Sequence, residues 1–510
     1  MWLTNGKMLY IMKRLCHDWI REEEINMKKT AIVVAVCLLL ALLIGCQNGK
    51  GDQESTTAGQ TNGETTVHTD NGGDSSEPGS SEQTEAPTAE QTTGGTAEET
   101  TEKNTEEETT VSTVNDGPIE VGKYDQFDLD TYMRPLWEGR VVHNETVMFI
   151  DKGDQKTLLY TPDEILSVRS YDLKTEYVKG KDYDLVDGKL VLLEGSAIPC
   201  ITREVYYGAG SDSYLKTKDP DGKDVFTYWG EGTAMVKWQV AVTYTHSQFW
   251  QDFRQESAAD TYRALISKLE KGEDATVIFY GDSITFGANA SSQIGCEPYA
   301  PTWTQMAVQY LAKHYGYTVR YIDPKLSNVA RVPEDSRFGE RGTITYINTS
   351  VGGWTSQNGI DNFNTYVKPY IEQYGCDLFA VAYGMNDAGV APANEKKQIK
   401  KITDAVLSVK SDAALMIVAT MVPNPNATNG WYGNQHRFET QLLKLASEYR
   451  DAGVPCAVMR MTSVSKAVLQ HKDFVDYTGN NINHPNDFMV RLYAQTFVQT
   501  LVGYENLKAD

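Results

Sequence analysis

Ser283 stands in the block Gly281-Asp282-Ser283-Ile284-Thr285-Phe286-Gly287, where an apolar run stops. A serine in a turn after a buried strand is presented at the edge of a sheet, and glycines on either side let the backbone bend closely there. Its hydroxyl is a poor nucleophile until a neighbouring base takes the proton. The chain offers a base late, at His484 in Asn480-Asn481-Ile482-Asn483-His484-Pro485-Asn486-Asp487. Between them lie Asn348-Thr349-Ser350-Val351-Gly352-Gly353 and Gly384-Met385-Asn386-Asp387. Each block alone also reads as an ordinary turn, so the elements that carry them decide.

Those elements alternate. Apolar runs occur at Ala275–Tyr280, Ile344–Ile347, Asp377–Tyr383, Ala413–Met421 and Val454–Met461. Helical patterns lie near Ala258–Lys271, Pro301–His314, Ile360–Gln373, Glu395–Val409, Gln435–Ala452 and Asp487–Leu501. Five such β/α units predict an α/β fold over 255–505, a parallel sheet flanked on both faces by helices. Active sites of such sheets form beyond the strand C-termini. The serine, glycine and asparagine blocks begin where the first, second and third of these runs stop.

In that order and placement the blocks resemble the SGNH or GDSL hydrolases, in a GDSIT variant. The resemblance covers about residues 272–505 and implies a three-layer fold with a serine esterase activity. It makes Ser283 the nucleophile and His484 its base. It assigns the oxyanion hole to the Ser283 N–H, the Gly353 N–H, with Gly352 one residue away, and the Asn386 amide. No metal or organic cofactor is implied.

One position departs from the family pattern. The closing Asp-x-x-His block has Asn481 where the aspartate belongs. An orienting carboxylate fixes the imidazole tautomer and stabilises the imidazolium, whereas a neutral amide supplies no charge. Three explanations stay open: a Ser–His dyad helped by a carbonyl, orientation by Asp487 or Asp476 from another direction, or a weakened or inactive site.

The region before the hydrolase pattern is different in kind. Over about 119–250 short alternating segments, such as Thr146–Ile150, Lys189–Leu193 and Val236–Val242, are broken by Asp187-Gly188 and Asp221-Gly222 turns. They predict a β-sandwich or jelly-roll domain. It reads either as a packing module or as a carbohydrate-binding one, with Trp137, Tyr206, Tyr207, Trp229 and Trp238 as aromatics for core or sugar.

Further upstream, residues 46–118 predict a disordered tether. Between Gln47 and Gly117 there are 16 acidic residues, 2 basic ones and no aromatic, a net charge of 2 − 16 = −14 out of −22 for the whole chain. Such a stretch cannot bury enough apolar surface to order itself. At 71 residues it would span roughly 45–50 Å. The remaining charge is only mildly acidic, which argues against a nucleic-acid partner.

Residues 27–45 read as a bacterial lipoprotein signal peptide. Met27-Lys28-Lys29 is followed by an apolar run to Ile44, and Leu43-Ile44-Gly45-Cys46 resembles a lipobox. The run is too short to span a membrane, so Cys46 is the expected lipidation site and the membrane a partner through it. Residues 1–26 read as an upstream extension, Arg21-Glu22-Glu23-Glu24 being writable in purine-rich codons. The seven cysteines show no CxxC pair and no metal-ligand spacing.

A tethered esterase beyond the membrane suits a polymer that cannot enter the cell. A β-domain ahead of an SGNH domain resembles carbohydrate esterases that remove acetyl groups from plant polysaccharides, with Trp303, Trp354 and Trp431 near the motif loops. Esters of envelope glycans or lipids form a second reading. A non-catalytic glycan-binding lipoprotein on an esterase scaffold is a third, and Asn481 alone favours it. Oligomeric state has no sequence signal.

Overall fold

In the computed structural model, residues 114–208, 214–219, 221–326, 332–427 and 431–507 are described. The signal peptide, Cys46, the upstream extension and all but the last residues of the tether lie outside them. Thr105–Asp510 forms one compact unit.

Among the described residues, eight strands precede the hydrolase pattern: β1 (Val141–Met148), β2 (Gln155–Lys156), β3 (Glu164–Ser170), β4 (Tyr183–Val186), β5 (Lys189–Leu192), β6 (Tyr214–Lys218), β7 (Asp224–Tyr228) and β8 (Gln239–Thr245). They build antiparallel sheets in the orders β1-β8-β3 and β2-β5-β4, and the β6-β7 hairpin. Asp187 and Gly188, with φ of 49° and 74°, join β4 to β5. Two consecutive positive φ values are what a tight two-residue hairpin needs, and Asp-Gly suits it.

The second group is β9 (Ala275–Gly281), β10 (Thr318–Ile322), β11 (Ser336–Arg337), β12 (Thr343–Asn348), β13 (Leu378–Ala382), β14 (Ala414–Ala419) and β15 (Cys456–Arg460). They form one seven-stranded sheet in the order β11-β10-β12-β9-β13-β14-β15, parallel except for β11 at the edge. Its central strands read as unbroken apolar runs because both faces are covered. In β9, Val277 and Phe279 join the core beneath helices Trp303–Tyr315 and Asp487–Leu501. Ile278 and Tyr280 join the opposite core, beneath Ser356–Tyr366, Pro392–Val409 and Gln435–Asp451.

Two elements differ from the sequence reading. The helix expected over Ile360–Gln373 is two helices, Ser356–Tyr366 and Lys368–Tyr374, parted at Val367. Pro369 lacks the N–H an interior helical position donates, so the chain restarts with proline in the first turn. Strand β10 has no counterpart among the expected runs. It lies near the sheet edge, where Val319 and Tyr321 are buried but Arg320 is exposed.

The small sheets share a core with the hydrolase region. Val147, Leu190 and Tyr244 belong to the same apolar cluster as Val464, Phe488 and Val490. Polar contacts tie them to the segment before the last helix. Lys472 pairs with Glu145 of β1, both side chains fully buried. The Met148 N–H donates to Asp476 Oδ1 at 2.8 Å. Gln239 of β8 donates to the Val475 and Thr478 carbonyls, each at 2.7 Å. Asn486 Nδ2 donates to Thr146 Oγ1 and Gln239 Oε1, each at 2.9 Å. That clamped segment carries His484.

Candidate active site

Strand β9 ends at Gly281, where a side chain has no room: a Cβ would sit 2.4 Å from the Ala382 carbonyl oxygen on β13. Asp282 then caps the short helix Ser283–Phe286, its carboxylate accepting the Ile284 N–H at 3.0 Å. Ser283 is the first residue of that helix and 6% exposed. The helix stops at once at Gly287, with φ of 102°.

His484 reaches the serine from the far end of the chain. Its Nε2 lies 2.9 Å from Ser283 Oγ. The loop that delivers it winds around Asn480, whose Oδ1 accepts the backbone N–H groups of Ile482, Asn483 and His484 at 2.9, 2.9 and 3.0 Å. One buried side chain thereby sets three consecutive backbone positions.

The other ring nitrogen faces two oxygens. His484 Nδ1 lies 2.9 Å from Glu231 Oε2 and 3.2 Å from Asn289 Oδ1. Glu231 belongs to the turn between β7 and β8, in Gly230-Glu231-Gly232. Its second oxygen accepts from Asn480 Nδ2 at 2.9 Å, so the residue that shapes the histidine loop also holds the carboxylate. Burial pushes the Glu231 carboxyl up, but its bonds with His484 and Asn480 outweigh this and hold it below the ordinary glutamate value. An ionised acceptor at Nδ1 places the proton there and leaves the Nε2 lone pair for the Ser283 hydroxyl. Asn289 donates from Nδ2 to the Gly479 carbonyl at 2.9 Å, which turns its Oδ1 toward the ring.

Two further loops close around the serine. A Cβ on Gly352 would stand 3.8 Å from the Ser283 Cβ, and Gly353 has φ of 77° with open space where a side chain would be. Asn386 follows β13 and donates one amide hydrogen to the Trp354 carbonyl at 2.9 Å. Its amide carries a second hydrogen. The Asn386 loop is thus pinned to the residue after Gly353.

None of the three groups expected to orient the histidine meets its ring. Asn481 sits in a left-handed turn, φ 64°, and points away. Its Nδ2 donates to Tyr206 Oη and the Tyr228 carbonyl, while its Oδ1 accepts from Asn424. Asp487 accepts the Ser291 N–H at 2.8 Å, and burial pushes its carboxyl up to about 6. Asp476 is spent on Met148 and lies 3.9 Å from Lys156. The groups that meet the ring at Nδ1 are instead Glu231 and Asn289, which the sequence reading did not single out. Glu231 is 253 residues from His484, and only its glycine-flanked turn set it apart.

Residues 277–487 match the family of GDSL-like lipases/acylhydrolases. Among solved structures, a two-domain esterase (CEX) active on acetylated mannans is 17% identical over 50% of this chain, with a TM-score of 0.35. The match spans 55% of that esterase's length. An acetyl xylan esterase, AlAXEase, is 14% identical over 44% of this chain and 97% of its own, with a TM-score of 0.30. A Clostridium thermocellum family 3 carbohydrate esterase is 13% identical over 44% and 94%, with a TM-score of 0.31. No curated protein matches the chain.

Proposed function

From the premise that residues 277–487 are a GDSL-like acylhydrolase domain, so that the chain is an SGNH-type ester hydrolase, we propose a Ser–His acyl-enzyme mechanism acting on acetylated polysaccharide. The observation that carries the mechanism is the row Ser283 Oγ, His484 Nε2, His484 Nδ1, Glu231 Oε2, with both contacts at 2.9 Å.

Ser283 Oγ attacks the ester carbonyl carbon while its proton passes to His484 Nε2. The carbonyl π-electrons move onto oxygen, and that oxyanion is held by the Ser283 and Gly353 N–H groups and the Asn386 amide. Glu231 stabilises the imidazolium. The tetrahedral intermediate collapses, the C–O bond to the leaving alcohol breaks, and His484 returns its proton to that alcohol. Water then repeats the sequence on the acyl-serine, with His484 as base, releasing the carboxylic acid and free Ser283.

Acetylated polysaccharide as substrate, and lipid anchoring through Cys46 outside the cell, are part of the same proposal. They rest on the leader and tether of the sequence. Among the described residues no helix is long and apolar enough to cross a membrane. The test is acetate release from acetylated xylan, acetylated glucomannan and an aryl acetate by Thr105–Asp510, beside Ser283→Ala. Release by the wild type and none by the variant supports the reading. Equal release by both removes Ser283 from the mechanism, and activity on the aryl ester alone removes the polysaccharide.

A further inference from the structure

Behind the two proposed oxyanion loops lies a group of buried carboxyls that the mechanism does not use. Asp387, next to Asn386, is 2% exposed, and Glu395, on the inner face of helix Pro392–Val409, is 1% exposed. Between them sits Ser356, the first residue of helix Ser356–Tyr366 and wholly buried. Ser356 Oγ lies 3.0 Å from Asp387 Oδ1, 3.0 Å from Glu395 Oε2 and 3.0 Å from Gln398 Oε1.

A hydroxyl has one proton to give and two lone pairs to offer. With both carboxyls ionised, Ser356 would satisfy one acceptor and face the others lone pair to lone pair. The count closes when one carboxyl keeps its proton: the acid donates to Ser356 Oγ, which donates to the other carboxylate. Gln398, turned about its amide axis, then donates into the remaining lone pair and gives up its exposed 3.3 Å bond from Nε2 to Gln357 Oε1. The positions of the neighbours decide which carboxyl is ionised. Asp387 accepts the Ser356 N–H through both oxygens, at 3.2 and 3.1 Å, at the positive end of that helix. Glu395 has no backbone donor of this kind, and its Oε1 has no hydrogen-bond partner among the described residues.

We propose that Glu395 is a positioning residue that works as the neutral acid: protonated, it donates to Ser356 and so holds the Asp387 carboxylate that pins the Asn386 loop. This rests on the proposed oxyanion role of Asn386. Burial pushes the Glu395 carboxyl well above its ordinary value, with Asp387 and then Asp282 adding to it. The Asp387 carboxyl is also raised, by burial against its bonds to Ser356 and Gly384. Since both are raised, the shared proton is assigned by the donor geometry.

Among the described residues no cation forms an ion pair with Asp387 or Glu395. The charges acting on Glu395 are Asp387 and Asp282. On its own helix Lys396 pairs with Glu448, and Lys400 with Asp404. Across the interface Gln357 donates to Asp361 on the outer side of the facing helix, and Tyr383, at the end of β13, lies near Asp282 and Asp387. No three such side chains among the described residues are arranged to hold a metal ion.

Glu395→Gln keeps a donor in place of the acid and cannot ionise. The ratio of its kcat to that of the wild type is expected to rise at least threefold across the pH at which the infrared acid band of Glu395 gives way to carboxylate, with KM unchanged. A ratio that stays flat while that acid band is lost, or one that falls, overturns the proposal. Infrared difference spectra give a readout independent of turnover. Wild type minus Glu395→Gln, both on a Ser283→Ala background, must show the C=O band of a protonated carboxylic acid at pH 7. Carboxylate bands there instead overturn the proposal even if the esterase reading stands, and an acid band upholds it even if that reading fails. Should Glu395→Gln not fold, Ser356→Ala must shift the wild-type acid band, because it removes the acceptor.

Discussion

Replacing Glu231 by Gln tests whether a residue outside the hydrolase pattern belongs to the catalytic machinery. The substitution keeps the size of the side chain and removes its charge. A hydrogen bond to a charged group contributes about 1.5–3 kcal/mol. The Glu231 side chain is 52% exposed, so solvent screening favours the lower half of that range. At about 1.36 kcal/mol per decade of rate, the loss is about 10- to 50-fold in kcat. It is smaller than the ~10⁴ that follows when an orienting carboxylate is lost and the tautomer inverts, because Asn289 Oδ1 still accepts at Nδ1 from 3.2 Å. Removing both groups, as Glu231→Ala with Asn289→Ala, should therefore approach ~10⁴. The assay is steady-state hydrolysis of an aryl acetate, with thermal melting to show that each variant folds. The imidazolium exists only after proton transfer, so kcat and kcat/KM should fall together. A folded Glu231→Ala enzyme within twofold of wild-type kcat would refute the reasoning.

Three further substitutions follow from particular contacts. Asn386→Ala should lower kcat by about 10²–10³ through loss of one oxyanion donor, read by the same assay with KM little changed. Lys472→Met leaves the Glu145 carboxylate buried opposite an apolar side chain, where, among the described residues, Leu159 N–H and Tyr244 Oη remain bonded to it. That should destabilise the fold by about 3–5 kcal/mol in denaturant melts, and Glu145→Gln added to it should recover part. Burial raises the Asp282 carboxyl from 3.8 to about 7, so the folded chain keeps a proton that the unfolded chain releases. Wild-type stability is then lost as pH rises between those values, by on the order of 4 kcal/mol. Asp282→Asn lacks that loss, so its melting temperature relative to the wild type should climb from pH 4 to 7 and then level off.

The hydrolase fold was legible because its strands are buried on both faces and so stand out as unbroken apolar runs. Turns with special backbone needs mark their ends, as Gly281 does against the Ala382 carbonyl. Strand β10 escaped because a strand this near the sheet edge, flanked outside only by the two-residue β11, is buried only at alternate residues, and two buried side chains in five make a weak signal. The orienting carboxylate escaped for another reason. Spacing pointed to Asn481, and spacing locates a backbone position without saying where its side chain turns. With φ of 64° at Asn481, the amide goes to Tyr206 and the Tyr228 carbonyl. The charge comes instead from a turn whose nearness to His484 exists only in the folded chain.

That placement changes what the small β-sheets are for. A binding module can be deleted with loss of affinity alone, but these sheets touch the reacting groups at two levels. Strands β1 and β8 hold the segment Val475–Asn486 through Thr146, Met148 and Gln239, and that segment fixes the position of His484. The turn after β7 then supplies Glu231 to the same ring. A fragment starting near residue 255 would keep Ser283, Gly353, Asn386 and His484, the four groups that identify the hydrolase pattern. It would lose the carboxylate and the strands that clamp the histidine loop, and would leave Lys472 without its buried partner Glu145. Such a fragment is expected to be unstable as well as slow. On the proposed mechanism the catalytic unit therefore begins with the β-sheets, ahead of the start of the SGNH pattern.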